Sequence, residues 1–431
     1  MPSPARAAAH RVLAEVARGR GTLADALSAP PVAALGPEDR ALLHELVLGV
    51  LRRRGWLDHV IAGLSSRPLR RVAPGVRDAL RLGVYQLLFT RVAPHAAVSE
   101  AVDLARSVEA PAAGFANAVL RRLQREGAPA EPDPVADPRG WLVSYGSLPG
   151  WRAERWLARE GAEPAVARAR ALLQPPPVHF RLNPRVPDAA ARLEAAGVRA
   201  RPGRLEGSFV LAEGRLTPLL EEGTAYAQDE GSQAVARLAA TEGLVLDACA
   251  APGGKSLLLA DLGQGATRVL AAEASLRRVR SLERLRRLWR AAEVRVVAAD
   301  ALRPPFTRPF DAVLLDAPCS GLGTLARHPD LRWRGSPAEL RRQSARQRAL
   351  LESLAPLVRP GGRLVYAVCS TEPEENEEVV EPFLERHQEF EVEGMPACVK
   401  EHSDEQTRAG PFLRIGPGPV RFFAARLRRG R

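Results

Sequence analysis

Between Gly243 and Ser370 short apolar segments end, one after another, on acidic or sulfur side chains: G-L-V-L-D-A-C, R-V-L-A-A-E, V-R-V-V-A-A-D, D-A-V-L-L-D-A-P and R-L-V-Y-A-V-C-S. Helical patterns separate them, over 255–262, about 275–290 and about 337–358. Strands that are apolar throughout and alternate with helices predict a doubly wound, mainly parallel sheet with both faces covered. Ligands of such sheets bind at the carboxyl ends of the strands, and that is where the polar residues cluster.

The preceding half has a different period. Residues 4 to about 125 repeat apolar side chains every three and four positions, as in D-R-A-L-L-H-E-L-V-L-G-V-L and V-R-D-A-L-R-L-G-V-Y-Q-L-L, which predicts a helical bundle. Four prolines within 125–138 cannot continue a helix and predict a stiff linker. A mixture of helical and strand-like pieces over 141–225 predicts a small α+β module. The expected organisation is therefore a helical domain 1–125, a linker 126–140, the small module 141–225 and an α/β catalytic domain 226–431.

Composition narrows the partner. Of 62 basic residues only Lys255 and Lys400 are lysine, leaving 60 arginines, and the net charge is +12. An excess of guanidinium groups fits a polyanion, because arginine pairs with phosphate and stacks on bases. Arg181, Asn183 and Arg185, around the turn F-R-L-N-P-R, are candidate RNA contacts. Four dispersed cysteines suggest neither a disulfide framework nor a zinc site, so no metal is expected. The first residues lack the apolar core of a signal peptide, and no stretch approaches the ~20 apolar residues that span a bilayer. A reducing cytosol and no membrane are expected.

The loop D-A-C-A-A-P-G-G-K-S, 247–256, offers backbone amides at a helix start. Cys249 stands where a phosphate-binding P-loop needs glycine, and G-x-G-x-x-G is absent, so a nucleoside ligand without pyrophosphate, such as S-adenosylmethionine, fits best. Glu273 and Asp300, at the next two strand ends, suit the ribose hydroxyls and the adenine edge. Where arginine has replaced nearly every lysine, Lys255 points to a need for a compact ammonium. D-A-P-C-S, 316–320, carries a thiol where amine methyltransferases hold an exocyclic nitrogen with an aromatic residue, and this favours carbon methylation. Carbon 5 of cytosine becomes nucleophilic when a thiolate adds at carbon 6. A strand-end cysteine is commonly a small buried hydrophobe. Cys319 and Cys369 at adjacent strand ends make nucleophilic chemistry the better account.

These three motifs resemble those of the Sun/Nop family of RNA 5-methylcytosine methyltransferases, as do A-Y-A-Q-D-E-G-S-Q at 225–233 and R-H-P-D-L-R-W at 327–333. The amino-terminal half is similar to NusB-type RNA-binding helical domains through L-V-L-G-V-L-R, L-R-L-G-V-Y-Q-L-L-F and G-F-A-N-A-V-L-R-R. The resemblance implies an all-α NusB-like domain followed by a class I, Rossmann-like methyltransferase domain that uses S-adenosylmethionine. It implies Cys369 as nucleophile, Cys319 as the thiol that assists release, and Asp316 with Lys255 for proton transfer. It implies a cofactor site of Cys249, Ala250, Ala251, Pro252, Gly253, Gly254, Lys255, Glu273, Asp300 and Asp316. Glu273 stands where the family more often has aspartate. The NusB-like fusion favours 16S ribosomal RNA, or a small-subunit assembly intermediate, over transfer RNA, and a monomer is expected. A noncatalytic RNA-binding assembly factor is the alternative of another class.

Overall fold

In the computed structural model, residues 2–19, 21–400, 411–415 and 420–431 are described, and the chain forms two compact units. The first comprises Met1–Pro175 together with Leu325–Arg334; the second comprises Pro176–Thr324 and Gly335–Arg431. The division falls inside 141–225: its helices up to Leu172 belong to the first unit, and the strands and two short helices after Pro175 belong to the second.

The first unit is helical, with α1 (Pro4–Ala17), α2 (Leu23–Leu27), α3 (Pro30–Ala33), α4 (Pro37–Leu64), α5 (Pro74–Phe89), α6 (Pro94–Val108), α7 (Ala112–Glu126), α8 (Pro138–Val143), α9 (Gly150–Glu160) and α10 (Ala162–Leu172). Proline stands at or next to the first position of α1, α4, α5 and α6, where its missing N–H costs nothing. The apolar faces of these helices meet in one core that includes Leu43, Leu46, Leu57, Leu80, Leu104 and Leu120. Gly49 explains the glycine of L-V-L-G-V-L-R: a Cβ there would lie 2.0 Å from Tyr85 Cζ. Helices α8–α10 join this unit because α4 holds them. Ser147 Oγ accepts from the Gly55 amide at 2.8 Å, and Trp56 meets Tyr145 edge to face at 5.2 Å. The proline-rich stretch thus lies within the first compact unit.

The segment Leu325–Arg334, from the R-H-P-D-L-R-W motif, is part of the same unit. Trp333 Nε1 donates to the Leu51 carbonyl at 2.8 Å, and the fully buried Arg332 donates to the Arg52 carbonyl at 2.9 Å. Burial lowers the affinity of Arg332 for its proton to a pKa of about 9, with Arg52 and Arg152 adding to the effect. An arginine held this way by carbonyls is a packing element, and its cost is offset by the hydrogen bonds.

The second unit holds two sheets. The small one contains β1 (His179–Leu182), β2 (Arg199–Pro202), β3 (Ser208–Glu213) and β4 (Ala225–Ala227), in the order β2-β3-β1-β4, all antiparallel, with α11 (Ala189–Ala195) and α12 (Thr217–Glu221). After α13 (Glu230–Leu238) comes the large sheet: β5 (Gly243–Asp247), β6 (Thr267–Glu273), β7 (Val294–Ala298), β8 (Phe310–Asp316), β9 (Val358–Val368), β10 (Phe390–Val392), β11 (Leu413–Ile415) and β12 (Phe422–Arg429). Its order is β10-β12-β9-β8-β5-β6-β7, with β11 paired to β12. Strands β9, β8, β5, β6 and β7 are parallel, whereas β12 runs antiparallel to β9, β10 and β11. The sheet is mixed, with a parallel centre as expected and an antiparallel edge that the alternating pattern did not reveal.

Both faces of the parallel centre are covered, which explains the uninterrupted apolar runs. Val245, Ala271, Leu314 and Val365 pack with α13, α14 (Gly254–Leu262) and α15 (Leu276–Leu288) on one side. Leu246, Ala272, Leu315 and Tyr366 pack with α16 (Pro337–Leu354) and α17 (Glu377–Arg386) on the other. Helix α16 is capped by Ser336 Oγ, which accepts from the Glu339 amide at 3.2 Å. It ends at Leu354, earlier than the expected 358, because Val358 already pairs with Phe310.

Candidate active site

The strand order reverses at β5: β6 and β7 follow on one side, while β8 and β9 lie on the other. That switch point is where a doubly wound sheet opens a crevice, and the loops after β5, β8 and β9 meet there. The β5 loop is tied to its neighbours by Ala248 N–H to the Leu314 carbonyl and Ala250 N–H to the Ala272 carbonyl, both at 2.9 Å. Its peptide Ala251–Pro252 is cis, and Gly253 sits at φ +118°. Only glycine suits that position, since a Cβ would also lie 2.3 Å from Leu282 Cδ1.

Lys255, in the first turn of α14, places Nζ 2.6 Å from Asp316 Oδ2 at the end of β8. Burial works against the ammonium, but Asp316, Asp247 and Cys369 more than offset it and hold the lysine above its ordinary pKa. Lys255 is therefore a fixed cation next to the second cysteine loop. Asp247 is buried, and burial pushes its carboxyl up to about 7 against the hydrogen bond that Ser256 Oγ donates to Oδ2 at 2.6 Å. Its Oδ1 is buried without a hydrogen-bond partner among the described residues. Cys249 is driven to a pKa of about 12 by burial and by Asp247, Asp316 and Glu273, so it remains a neutral thiol.

Glu273, at the end of β6, is 6% exposed; its Oε1 accepts from the Ser275 amide at 2.9 Å, and Oε2 lies 3.3 Å from Arg278 Nη1. Arg278 also donates to the Ala251 carbonyl at 2.8 Å, linking the acid to the glycine loop. Asp300 is exposed just beyond β7, where its Oδ1 accepts from the Leu302 amide at 3.0 Å.

Cys319 and Cys369 are in contact, Sγ to Sγ 3.3 Å. Asp316 pairs with Ala367 in the parallel register of β8 and β9, so the two loops leave the sheet side by side. Cys319 is raised well above the ordinary thiol range, first by its hydrogen bond to Cys369, then by burial, and then by the charges of Cys369 and Glu375. Cys319 therefore stays a neutral thiol in contact with the Cys369 sulfur.

The structure brings together Lys255 with Asp316 and Cys319 with Cys369, and strings Glu273 and Asp300 along the same edge of the sheet. It corrects the reading of F-R-L-N-P-R. Arg181 and Asn183 are 3% and 0% exposed and cannot reach RNA. Arg181 pairs with Asp261 at 2.5 Å, donates to the Gly254 carbonyl at 3.2 Å and stacks over Trp289, while Asn183 donates to the Gly223 and Trp289 carbonyls. Arg185 bonds Asp261 and Glu293. These residues anchor the small sheet to α14 and to the end of α15. Glu375, Gln347 and Arg278 were not singled out from the sequence. The acidic run after Cys369 was the only local signal for Glu375.

Comparison with known proteins agrees with this geometry. The sequence model of the family "16S rRNA methyltransferase RsmB/F" matches residues 236–428, and that of the NusB family matches residues 3–125. Ribosomal RNA small subunit methyltransferase B of Pseudomonas putida is 38% identical over 88% of this chain and 89% of its own length. The chain belongs to the RsmB/F family. The protein of the same name from Pseudomonas syringae pv. tomato is 35% identical over 94% of this chain and 93% of its own. The crystal structure of PH0851 superposes with a TM-score of 0.78 over 99% of both chains at 25% identity. As an RsmB/F protein the chain is an S-adenosylmethionine-dependent ribosomal RNA methyltransferase with a NusB-type helical domain ahead of its catalytic sheet. Among the described residues no helix is long and apolar enough to cross a membrane.

Proposed function

We propose that this chain methylates carbon 5 of a cytosine in 16S ribosomal RNA through a covalent adduct of Cys369 at carbon 6. The observation that carries the reading is the thiol pair: two cysteines 3.3 Å apart, Cys319 held as a neutral thiol, and the Lys255 ammonium close enough to interact electrostatically with Cys369. A neighbouring cation favours the thiolate, which is the nucleophilic form.

S-Adenosylmethionine would lie along Cys249–Lys255, Glu273, Asp300 and Asp316, and supplies an electrophilic methyl group. The residues fit it. Asp247 Oδ1 is a buried acceptor without a donor, suited to an ammonium, and Glu273 and Asp300 present carboxylates at successive strand ends. Cys369 adds to carbon 6 of a cytosine turned out of its stack, which makes carbon 5 electron-rich enough to accept the methyl group. Proton transfer at the activated base falls to the Asp316–Lys255 pair. Once Cys369 is a thioether, the hydrogen bond that most strongly held the proton on Cys319 weakens. Cys319 can then lose its proton to solvent, take the proton from carbon 5 and let the Cys369 thiolate leave, restoring the aromatic ring.

The NusB-type domain, the net charge of +12 and the relatives named for the small ribosomal subunit support 16S RNA, free or in an assembly intermediate, as the substrate. The test is methyl transfer from labelled S-adenosylmethionine to unmethylated 16S RNA and, in parallel, to transfer RNA. Label recovered as 5-methylcytosine in 16S RNA and lost with Cys369→Ala is the expected result. Cys319→Ala is expected to accumulate an RNA–protein adduct, because addition proceeds and release is slowed. Full activity of Cys369→Ala would overturn the nucleophile, and label confined to transfer RNA would overturn the substrate.

A further inference from the structure

The serines that follow the two cysteines converge on one buried carboxylate. Glu375 closes the short turn Pro373–Glu375 and has no solvent exposure. Its Oε1 accepts from the Ser320 amide at 2.8 Å and from Gln347 Nε2 at 3.0 Å. Its Oε2 accepts from Ser370 Oγ at 2.5 Å and from Ser320 Oγ. Gln347, on α16, donates as well to the Pro318 carbonyl at 3.0 Å, and the Tyr366 hydroxyl donates to the Glu375 carbonyl at 2.6 Å. All of these donors are neutral. A buried carboxylate held only by neutral donors is costly, and packing alone would be served by an apolar side chain. A carboxylate provides two acceptor oxygens that can hold donors from two loops at once, together with a fixed charge.

We propose that Glu375 is a positioning residue for methyl transfer: by gripping Ser320 and Ser370 it sets Cys319 and Cys369, one residue earlier in each loop, at thiol contact. Its charge has a second effect, contributing with the Cys369 hydrogen bond, burial and the Cys369 charge to the hold on the Cys319 proton. Glu375 thereby helps to give two chemically identical side chains different roles. The inference rests on the reading of Cys369 as nucleophile, but the state of the thiols can be read without RNA.

The experiment compares wild type with Glu375→Gln, which keeps the size of the side chain and removes its charge. Iodoacetamide alkylation of Cys319 and Cys369 in the RNA-free protein is followed peptide by peptide from about pH 6 to about pH 10, bracketing the ordinary thiol range. In wild type, Cys319 is expected to react only at the alkaline end. In Glu375→Gln its profile is expected to move down toward an ordinary thiol, and kcat to fall about 100-fold, as for a catalytic group displaced by about 1 Å. KM for RNA and affinity for S-adenosylmethionine are expected to stay within about twofold, because Glu375 touches neither the glycine loop nor the acids beyond β6 and β7. The double variant Ser320→Ala with Ser370→Ala, which keeps the carboxylate and loses both hydroxyl donors, is expected to move both readouts in the same direction. An unmoved Cys319 profile overturns the proposal, in Glu375→Gln or, should that variant not fold, in the double serine variant. A fall in kcat with an unmoved profile means a structural role only. If wild type transfers no methyl group but the Cys319 profile still moves, the reaction reading fails and the positioning of the thiols stands.

Discussion

At Lys255 the requirements on the site meet in one side chain, which has to reach Asp316 at 2.6 Å from the first turn of α14 and remain charged beside Cys369. An arginine fork would need more room, and a neutral residue would leave Asp316 unpaired. Lys255→Met is therefore expected to lower kcat at neutral pH by about 100-fold or more, as the cation beside the reacting thiols and the partner of Asp316 are lost together; single-turnover kinetics on saturating RNA is the check. Asp247 provides a prediction with a definite sign. Its folded carboxyl titrates near 7 against an ordinary value of 3.8, so the folded state holds the extra proton. The cost of this group to stability is absent below about pH 4, grows as pH rises to about 7 and is constant above that, reaching about 4–5 kcal/mol at most at roughly 1.4 kcal/mol per unit. Cofactor-free Asp247→Asn is expected to unfold at higher denaturant than wild type at about pH 8, and the advantage is expected to vanish near pH 4. Cys249, held to about 12, is expected to resist alkylation at neutral pH in the native protein while the exposed Cys398 reacts.

Among the elements, the α4–α5 pair shows how a motif that reads as a helix stripe also encodes a close approach. Gly49 is a poor helix former retained because the Tyr85 ring occupies the space of a Cβ, with the Tyr85 hydroxyl donating to Glu45 Oε1 at 2.5 Å. Gly49→Ala is expected to destabilise the helical unit by about 1–3 kcal/mol, the usual cost of overpacking, seen as a shift in chemical denaturation. The elements that flank the chemistry were legible because each carries its own local signal. Strands β5 to β9 are short apolar runs, and the glycines of the β5 loop mark a tight turn. The antiparallel β12 was not legible. Its alternation is masked because Phe423 and Ala425 face one core and Phe422 and Ala424 the other, so both faces are apolar.

Across the whole molecule the charge of +12 is carried almost entirely by arginine. If binding to RNA neutralises about six phosphates, affinity is expected to fall roughly 10³-fold between about 50 and 200 mM salt, a slope that filter binding at several salt concentrations would measure. A flat dependence would remove the polyanion argument. The molecular division at Pro175 and the inclusion of Leu325–Arg334 in the helical unit depend on contacts such as Trp333 with the Leu51 carbonyl, made between residues more than 250 positions apart. No window of sequence contains both partners of such a contact.

The sequence by itself determined the alternation of strands and helices, the glycine loop, and which side chains stand at the strand ends, because periodicity and turn chemistry act over a few residues. It also placed Cys319 and Cys369 at neighbouring ends. The tertiary structure alone decided that their sulfurs touch, that Cys319 holds its proton above the ordinary thiol range, that Arg181 and Asn183 are buried anchors, and that Glu375 grips both loops. Those facts depend on the pairing of β8 with β9 and on burial. Both are set by long-range packing, and it is burial that turns an ordinary carboxylate or thiol into one with a defined charge.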